Sequence, residues 1–179
     1  MKTILQSLRI LLVLTVLTGV AYPLIVTTIA RVAFHDAATG SLVKRGDKVV
    51  GSALLAQKTE SPKYFWPRPS AADFATVASG ASNQGPTSAD LVKSIAERRE
   101  KFGKDAPDEL LTASGSGLDP HLSPAAARYQ AARIASERKL PLDQIESLIA
   151  RLTERPQFGF LGEPRVNVLA LNLALDAPR

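Results

Sequence analysis

The stretch of this chain best equipped for chemistry is Ser114-Gly115-Ser116-Gly117. Serines alternating with glycines look like a phosphate-binding loop, in which backbone N–H groups and a lysine neutralise an anion together. Here Gly117 is followed by Leu118-Asp119-Pro120. No lysine is present and the aspartate would repel phosphate, so this is not a Walker loop. His121 follows closely and is one of only two histidines, His35 being the other. Ser114 or Ser116 with Asp119 and His121 are the residue types of a hydrolytic triad. Known triads draw their members from separate elements that aim each side chain. These three would crowd onto one short loop, and no G-x-S-x-G elbow occurs. Metal binding has no better footing, because no His/Asp/Glu pair has a recognisable ligand spacing and there is no cysteine at all. What remains is shape. Gly115 and Gly117 can take positive φ, which would turn successive N–H groups inward as a small nest for an anion or a partner's carboxylate. The structural alternative is the stronger one: Asp119 and the serines satisfy those N–H groups internally and pin the entrance to the next helix.

That helix is signalled by Ser123-Pro124, a serine cap followed by proline at the first helical position. Its sequence PAAARYQAARIASERK runs to about Lys139, where Leu140-Pro141 breaks it. A further helix follows, with Asp143 as its cap, Glu146 three positions later and Ile145, Leu148, Ile149 and Leu152 on one face. Upstream, Thr87 or Ser88 caps a helix carrying Leu91, Ile95 and Phe102, and ERREK (97–101) is its solvated end. SLVKRGDKVVGSALLAQ reads as two β segments about a Gly46-Asp47 turn, which accounts for the Arg45-Gly46-Asp47 tripeptide without any adhesive role. In KYFWPRPSAADF, prolines 67 and 69 favour an extended segment. Phe65 is expected in the core, while Trp66 and Arg68 are candidates for a contact surface, being residue types favoured at interfaces. Ser82 and Asn83, in the polar loop 78–90, are further contact candidates. The segment 166–176 mixes strand-like alternation with helical Leu/Ala content, and a short helix starting near Asn167 is expected. The fold class predicted is α+β.

Ile10 to Ala30 contains no charge and lies between Arg9 and Arg31. As a helix, these residues span roughly 31 Å, the thickness of a bilayer core. The expected organisation is a short segment 1–9, a transmembrane helix 10–30 and one soluble domain 31–179. A cleaved signal peptide ending near Gly19-Val20-Ala21 is the rival reading, but the apolar run continues past it through Leu24, Ile25, Val26 and Ile29. Pro23 is tolerated in a membrane helix, and Thr15, Thr18, Thr27 and Thr28 can bond back to helix carbonyls. Thr15, Thr18 and Gly19 are placed on or near a helix-packing face. Charge does not fix orientation, since Lys2 and Arg9 are nearly balanced by Arg31, Lys44 and Arg45. Setting aside Lys2, Arg9 and Arg31 leaves 19 basic against 17 acidic residues, a net charge of +2. The charges are interspersed, so no nucleic-acid surface is indicated.

YFWPRPSA (64–71), ASGASNQGP (78–86), TASGSGLDPHLSP (112–124) and GEPRVNVLALNLALD (162–176) resemble the signature blocks of the C subunit of the bacterial Kdp potassium-transporting ATPase. The span with Tyr22-Pro23-Leu24 fits as well, and the resemblance covers essentially the whole chain. Ala81 stands where the family typically shows a second glycine, and Gln84 where a leucine is usual. The resemblance implies a non-catalytic accessory subunit in the bacterial inner membrane, with its soluble domain outside the cytoplasm. Its implied partners are a channel-like potassium-translocating subunit, a P-type ATPase subunit and a small single-span subunit. The complex uses ATP, Mg and potassium, and this chain binds none of them directly on that reading. Such subunits are described as catalytic chaperones that raise the pump's ATP affinity. An extracytoplasmic domain cannot touch ATP, so that effect would be a coupling transmitted through the span. An anchored binding module acting independently of any pump, and an anchored hydrolase, are the alternatives.

Overall fold

A computed structural model describes residues 1–177 of the chain. Pro23 shapes its first feature. Proline has no N–H and its ring crowds the carbonyl four residues earlier, here that of Gly19. The helix answers with a π turn. α1 (Lys2–Val16) passes into a wide turn at Leu17–Ala21, where the Tyr22 N–H reaches back five residues to the Leu17 carbonyl, and α2 (Tyr22–Ala33) continues it. The resulting apolar helix of 32 residues, Lys2–Ala33, is long enough to cross a membrane, and none of its residues is buried within the chain. Thr18 and Thr28 donate their hydroxyls to the carbonyls of Leu14 (2.7 Å) and Leu24 (2.8 Å). A short helical turn, α3 (His35–Ala38), precedes the hairpin of β1 (Leu42–Arg45) and β2 (Lys48–Ser52). Gly46 takes φ +62 in its turn, the conformation that Gly-Asp predicts there.

The chain divides into two units, the first Met1–Val50 and the second beginning at Gly51. The second has the mixed helix-and-strand character of an α+β fold. Its helices are α4 (Ala89–Phe102), α5 (Asp108–Leu111), α6 (Pro124–Arg138), α7 (Leu142–Leu152) and α8 (Val168–Leu175). Its strands are β3 (His121–Leu122), β4 (Thr153–Glu154) and β5 (Arg165–Asn167), forming an antiparallel sheet in the order β3-β5-β4. The register pairs Leu122 and Thr153 with Val166, and Val166 is fully buried. One core results, built from Phe65, Leu110, Leu122, the alanine face of α6 with Ile134, the apolar stripe of α7, and Val168 and Leu171 of α8. Alanines at 126, 127, 131 and 135 let α7 approach α6 closely, and Ile145, Leu148 and Ile149 fill the seam.

Caps fix the helix ends. Ser88, Ser123 and Asn167 accept from the N–H groups of Leu91, Ala126 and Ala170. Glu109 supports the Ser123 cap from α5, because its carboxylate accepts from both the Ser123 N–H and the Ser123 hydroxyl. One expected cap does not form. α7 starts at Leu142, and neither Asp143 nor Glu146 makes a capping box. Pro141 already fixes the entry with an extended ψ of 138°, which leaves Asp143 inside the first turn. The segment near Asn167 resolves as expected into helix, with the short strand β5 just before it.

Candidate functional site

Residues 64–66 form an extended strip that has no strand neighbour, yet its backbone is paired on both sides. In an extended chain, successive residues turn their N–H and C=O groups to opposite edges. Asn172 of α8 takes one edge: its Oδ1 accepts from the Phe65 N–H (2.8 Å) and its Nδ2 donates to the Phe65 carbonyl (3.0 Å). Gln130 of α6 takes the other, accepting from the Trp66 N–H (2.9 Å) and donating to the Trp66 carbonyl (3.0 Å). Two side-chain amides therefore stand in for two missing strands. This arrangement drives the Phe65 ring into the core at 0 % exposure.

Arginines from α6 finish the clamp. Arg133 donates to the carbonyls of Pro62 and Tyr64 and to Gln130 Oε1, and its guanidinium stacks 3.9 Å from the Trp66 ring centre. Burial pushes the Arg133 guanidinium below its usual pKa, with Glu137 opposing that shift. Arg138 donates to the Lys63 and Leu175 carbonyls and to Asp176, which also accepts from the Tyr64 hydroxyl at 2.9 Å. Trp66 is thus half-buried, with Lys101 4.5 Å from its ring centre, Phe102 edge-on at 5.4 Å and its own Nε1–H donated to the Ser61 carbonyl.

The serine–glycine loop packs beside this strip. Arg68 donates to Asp119 Oδ2 at 3.2 Å, while Asp119 Oδ1 accepts from the backbone N–H of His121 at 3.0 Å. Arg68 Nε is buried and has no hydrogen-bond partner among the described residues. The Ser114 N–H bonds the Pro69 carbonyl, Ser116 Oγ accepts from the Leu118 N–H, and the Leu118 carbonyl accepts from Ala56. Only Gly117 has positive φ (+70); Gly115 does not, so the alternating nest is absent. Close packing explains Gly117. An added Cβ would lie 3.0 Å from the Gly80 carbonyl oxygen and 3.3 Å from Ser70 Oγ. The four sequence blocks accordingly converge on 112–124, which meets Arg68 through Asp119, Gly80 through Gly117 and the Val168 N–H through the Pro120 carbonyl.

An open cavity of about 370 Å³ lies against the loop, bounded by Leu54, Leu55, Ser114 to Ser116, Leu118 and Asp119. Ser114 is buried, Gly115 and Ser116 are exposed, and Asp119 and His121 are half-buried. Among the described residues no hydrogen bond joins either serine to His121, whose Nδ1 is 3.7 Å from Asp119 Oδ1. No group of three His, Asp or Glu side chains able to hold a metal occurs among the described residues. Ser82 and Asn83 are exposed on the loop leading away from Gly80, with Asn83 at φ +54. Thr15, Thr18 and Gly19 lie exposed on the apolar helix, and an added Cβ on Gly19 would meet nothing within 4 Å. What sequence reasoning missed is the pair of amides, Gln130 and Asn172, because nothing local marks a polar residue on a helix as a strand substitute.

An apolar helix of membrane-spanning length joined to an α+β head defines a class of protein: a chain with one candidate membrane span. The family model described as KdpC, the c chain of K⁺-transporting ATPase, matches residues 4–177, and the chain belongs to that family. It is 52 % identical over 183 residues to the potassium-transporting ATPase KdpC subunit of Methylococcus capsulatus, covering 97 % of this chain and 96 % of the relative. The subunits so named from Rhodospirillum rubrum and Cereibacter sphaeroides are 52 % and 53 % identical, covering 98 % and 96 % of this chain and 96 % and 95 % of their own lengths.

Proposed function

We propose that the chain is a non-catalytic accessory subunit of an ATP-driven potassium uptake complex, held in the bacterial inner membrane by one span with its head outside the cytoplasm. On this reading it packs through Thr15, Thr18 and Gly19 against the channel-like and ATPase subunits, alongside a small single-span subunit. It raises the ATP affinity of the ATPase subunit without touching nucleotide. The observation carrying this reading is the state of the serine–glycine loop. Ser114 and Gly117 donate their N–H groups to the Pro69 and Ser114 carbonyls, Ser116 Oγ accepts from the Leu118 N–H, Arg68 holds Asp119, and Gly117 packs closely against Gly80. A phosphate cradle needs a run of neighbouring N–H groups aimed at one point, which the pairing of the Ser114 and Gly117 N–H groups and the ordinary φ of Gly115 interrupt. The printed names of the relatives supply the potassium-transporting ATPase.

Gly19→Leu tests the reading. An added Cβ at Gly19 meets nothing within 4 Å, so a loss of association reports packing against other subunits. The expected outcome is a complex that sheds this subunit on purification and binds ATP about 5- to 150-fold more weakly, the ordinary span of a coupling energy. Undiminished copurification would count against the span contact. Purified full-length chain that binds ATP as tightly as the complex would refute indirect action. Protease treatment of sealed right-side-out vesicles tests the orientation; a head that stays protected lies on the cytoplasmic side.

A further inference from the structure

A helix in hydrocarbon must pair its backbone carbonyls without help from water. Along the apolar helix that accounting fails at two neighbouring residues. In an α-helix the Thr18 carbonyl accepts from the N–H of residue 22 and the Gly19 carbonyl from that of residue 23. Here the Tyr22 N–H is turned to the Leu17 carbonyl, and residue 23 is proline, which has no N–H. A threonine four residues on can bond back to a carbonyl, as Thr18 does to Leu14 and Thr28 to Leu24. Tyr22 and Pro23 occupy those positions for Thr18 and Gly19, so that repair is closed to them. Among the described residues no side chain donates to either carbonyl.

Depth decides what can complete the pair. Gly19 lies ten residues after Arg9 and twelve before Arg31. As a helix, that places it about 15 Å and 18 Å from the charged ends, near the middle of a bilayer core. Headgroups and bulk water lie outside that depth, and a charged donor is costly there. Gly19 has no side chain to screen its carbonyl, and an added Cβ would meet nothing within 4 Å, so a neighbouring helix can approach closely. We propose that the wide turn at Leu17–Ala21 is an intramembrane acceptor site. Its Thr18 and Gly19 carbonyls receive a neutral donor, a hydroxyl or carboxamide side chain, from a membrane helix of another subunit of the complex. This inference rests on the reading of the chain as a single-span subunit, and adds a polar contact to the packing at Gly19.

The sequence supplies a probe. Gly19-Val20 is the only Gly-Val step in the chain. Labelling glycine carbonyls with ¹³C and valine nitrogens with ¹⁵N therefore isolates the Gly19 carbonyl in solid-state NMR of the full-length chain in lipid bilayers. Hydrogen bonding moves a carbonyl signal downfield. The signal should lie upfield in the chain alone and move downfield on assembly with unlabelled partners. Pro23→Ala restores the N–H that Gly19 lacks. Its signal should already be downfield in the chain alone, and its complex should dissociate about 3- to 20-fold faster, the range for one interhelical hydrogen bond. Faster dissociation would also follow from a changed helix course, whereas the downfield move of wild type on assembly needs a donor. A wild-type signal that stays put on assembly, or a Pro23→Ala complex as long-lived as wild type, overturns the proposal and leaves the subunit reading intact. A wild-type signal already downfield in the chain alone assigns the site to water or lipid and overturns it too. A wild-type chain that elutes alone from native membranes refutes the subunit reading, and this proposal with it.

Discussion

Gln130→Leu should release the Phe65–Trp66 strip and destabilise the head by about 1–5 kcal/mol. Gln130 is 2 % exposed and makes three hydrogen bonds, two to the Trp66 backbone and one from Arg133. Leucine fills a similar volume but leaves the Trp66 N–H and C=O without partners. Each stranded group costs about 1–3 kcal/mol, and apolar burial of the leucine returns about 1 kcal/mol. That net loss is a large part of a total stability of about 5–15 kcal/mol. Trp66 is the only tryptophan, and it lies within the clamp, so its emission reports the event directly. Urea titration of the full-length chain in mild detergent should show the midpoint falling by roughly 1–3 M. Asn172→Leu should act similarly through Phe65. Because both amides grip adjacent residues of one strip, the double variant should lose less than the sum of the two. A Gln130→Leu midpoint within about 0.3 M of wild type would refute the idea that side-chain amides replace strand pairing here.

Gly117→Ala should cost about 1–3 kcal/mol, since alanine is strained at φ +70 and its Cβ would press on the Gly80 carbonyl; Gly115→Ala, unhindered and at ordinary φ, should stay within about 0.5 kcal/mol. Equal effects in urea titration would show that the packing of Gly117 is irrelevant. Lys139→Gly should stabilise by about 0.5–1 kcal/mol. Lys139 occupies the left-handed position (φ 55, ψ 44) of a helix-closing motif in which the Leu140 N–H bonds the Ala135 carbonyl. A lowered urea midpoint would contradict that strain.

The sequence made legible what short-range chemistry determines. Ser123-Pro124 starts α6 and Asn167 caps α8 because a cap and its N–H partner are three residues apart. The long apolar helix and the helical period of α7 were equally readable, since each needs only a local hydrophobic pattern. The Asp143 cap failed because two local signals competed and the rigid proline at 141 fixed the start first. Other features depend on distant partners. Gln130 meets Trp66 across 64 residues and Asn172 meets Phe65 across 107, separations at which pattern carries no information about contact. Trp66 was read as a contact residue from its type alone; its half-buried cage requires Arg133, Lys101 and Phe102 to arrive from two other helices. Phe158 was missed for the opposite reason, because turn preferences give no cause to look for an outward phenylalanine at positive φ.

The distribution of polar groups separates shape from contact. In the serine–glycine loop and the amide clamp, almost every named donor and acceptor is turned inward, so substitutions there should register first as lost stability. The apolar helix is the reverse: its large side chains are exposed while its backbone, outside the wide turn, is already closed by hydrogen bonds. Substitutions there should leave the fold alone and register in association. The two classes of variant therefore give opposite signatures in the same pair of measurements, a urea midpoint and a dissociation rate. A subunit that acts by contact predicts both signatures. A binding module built around the loop would instead couple loop substitutions to ligand affinity and leave Gly19 silent.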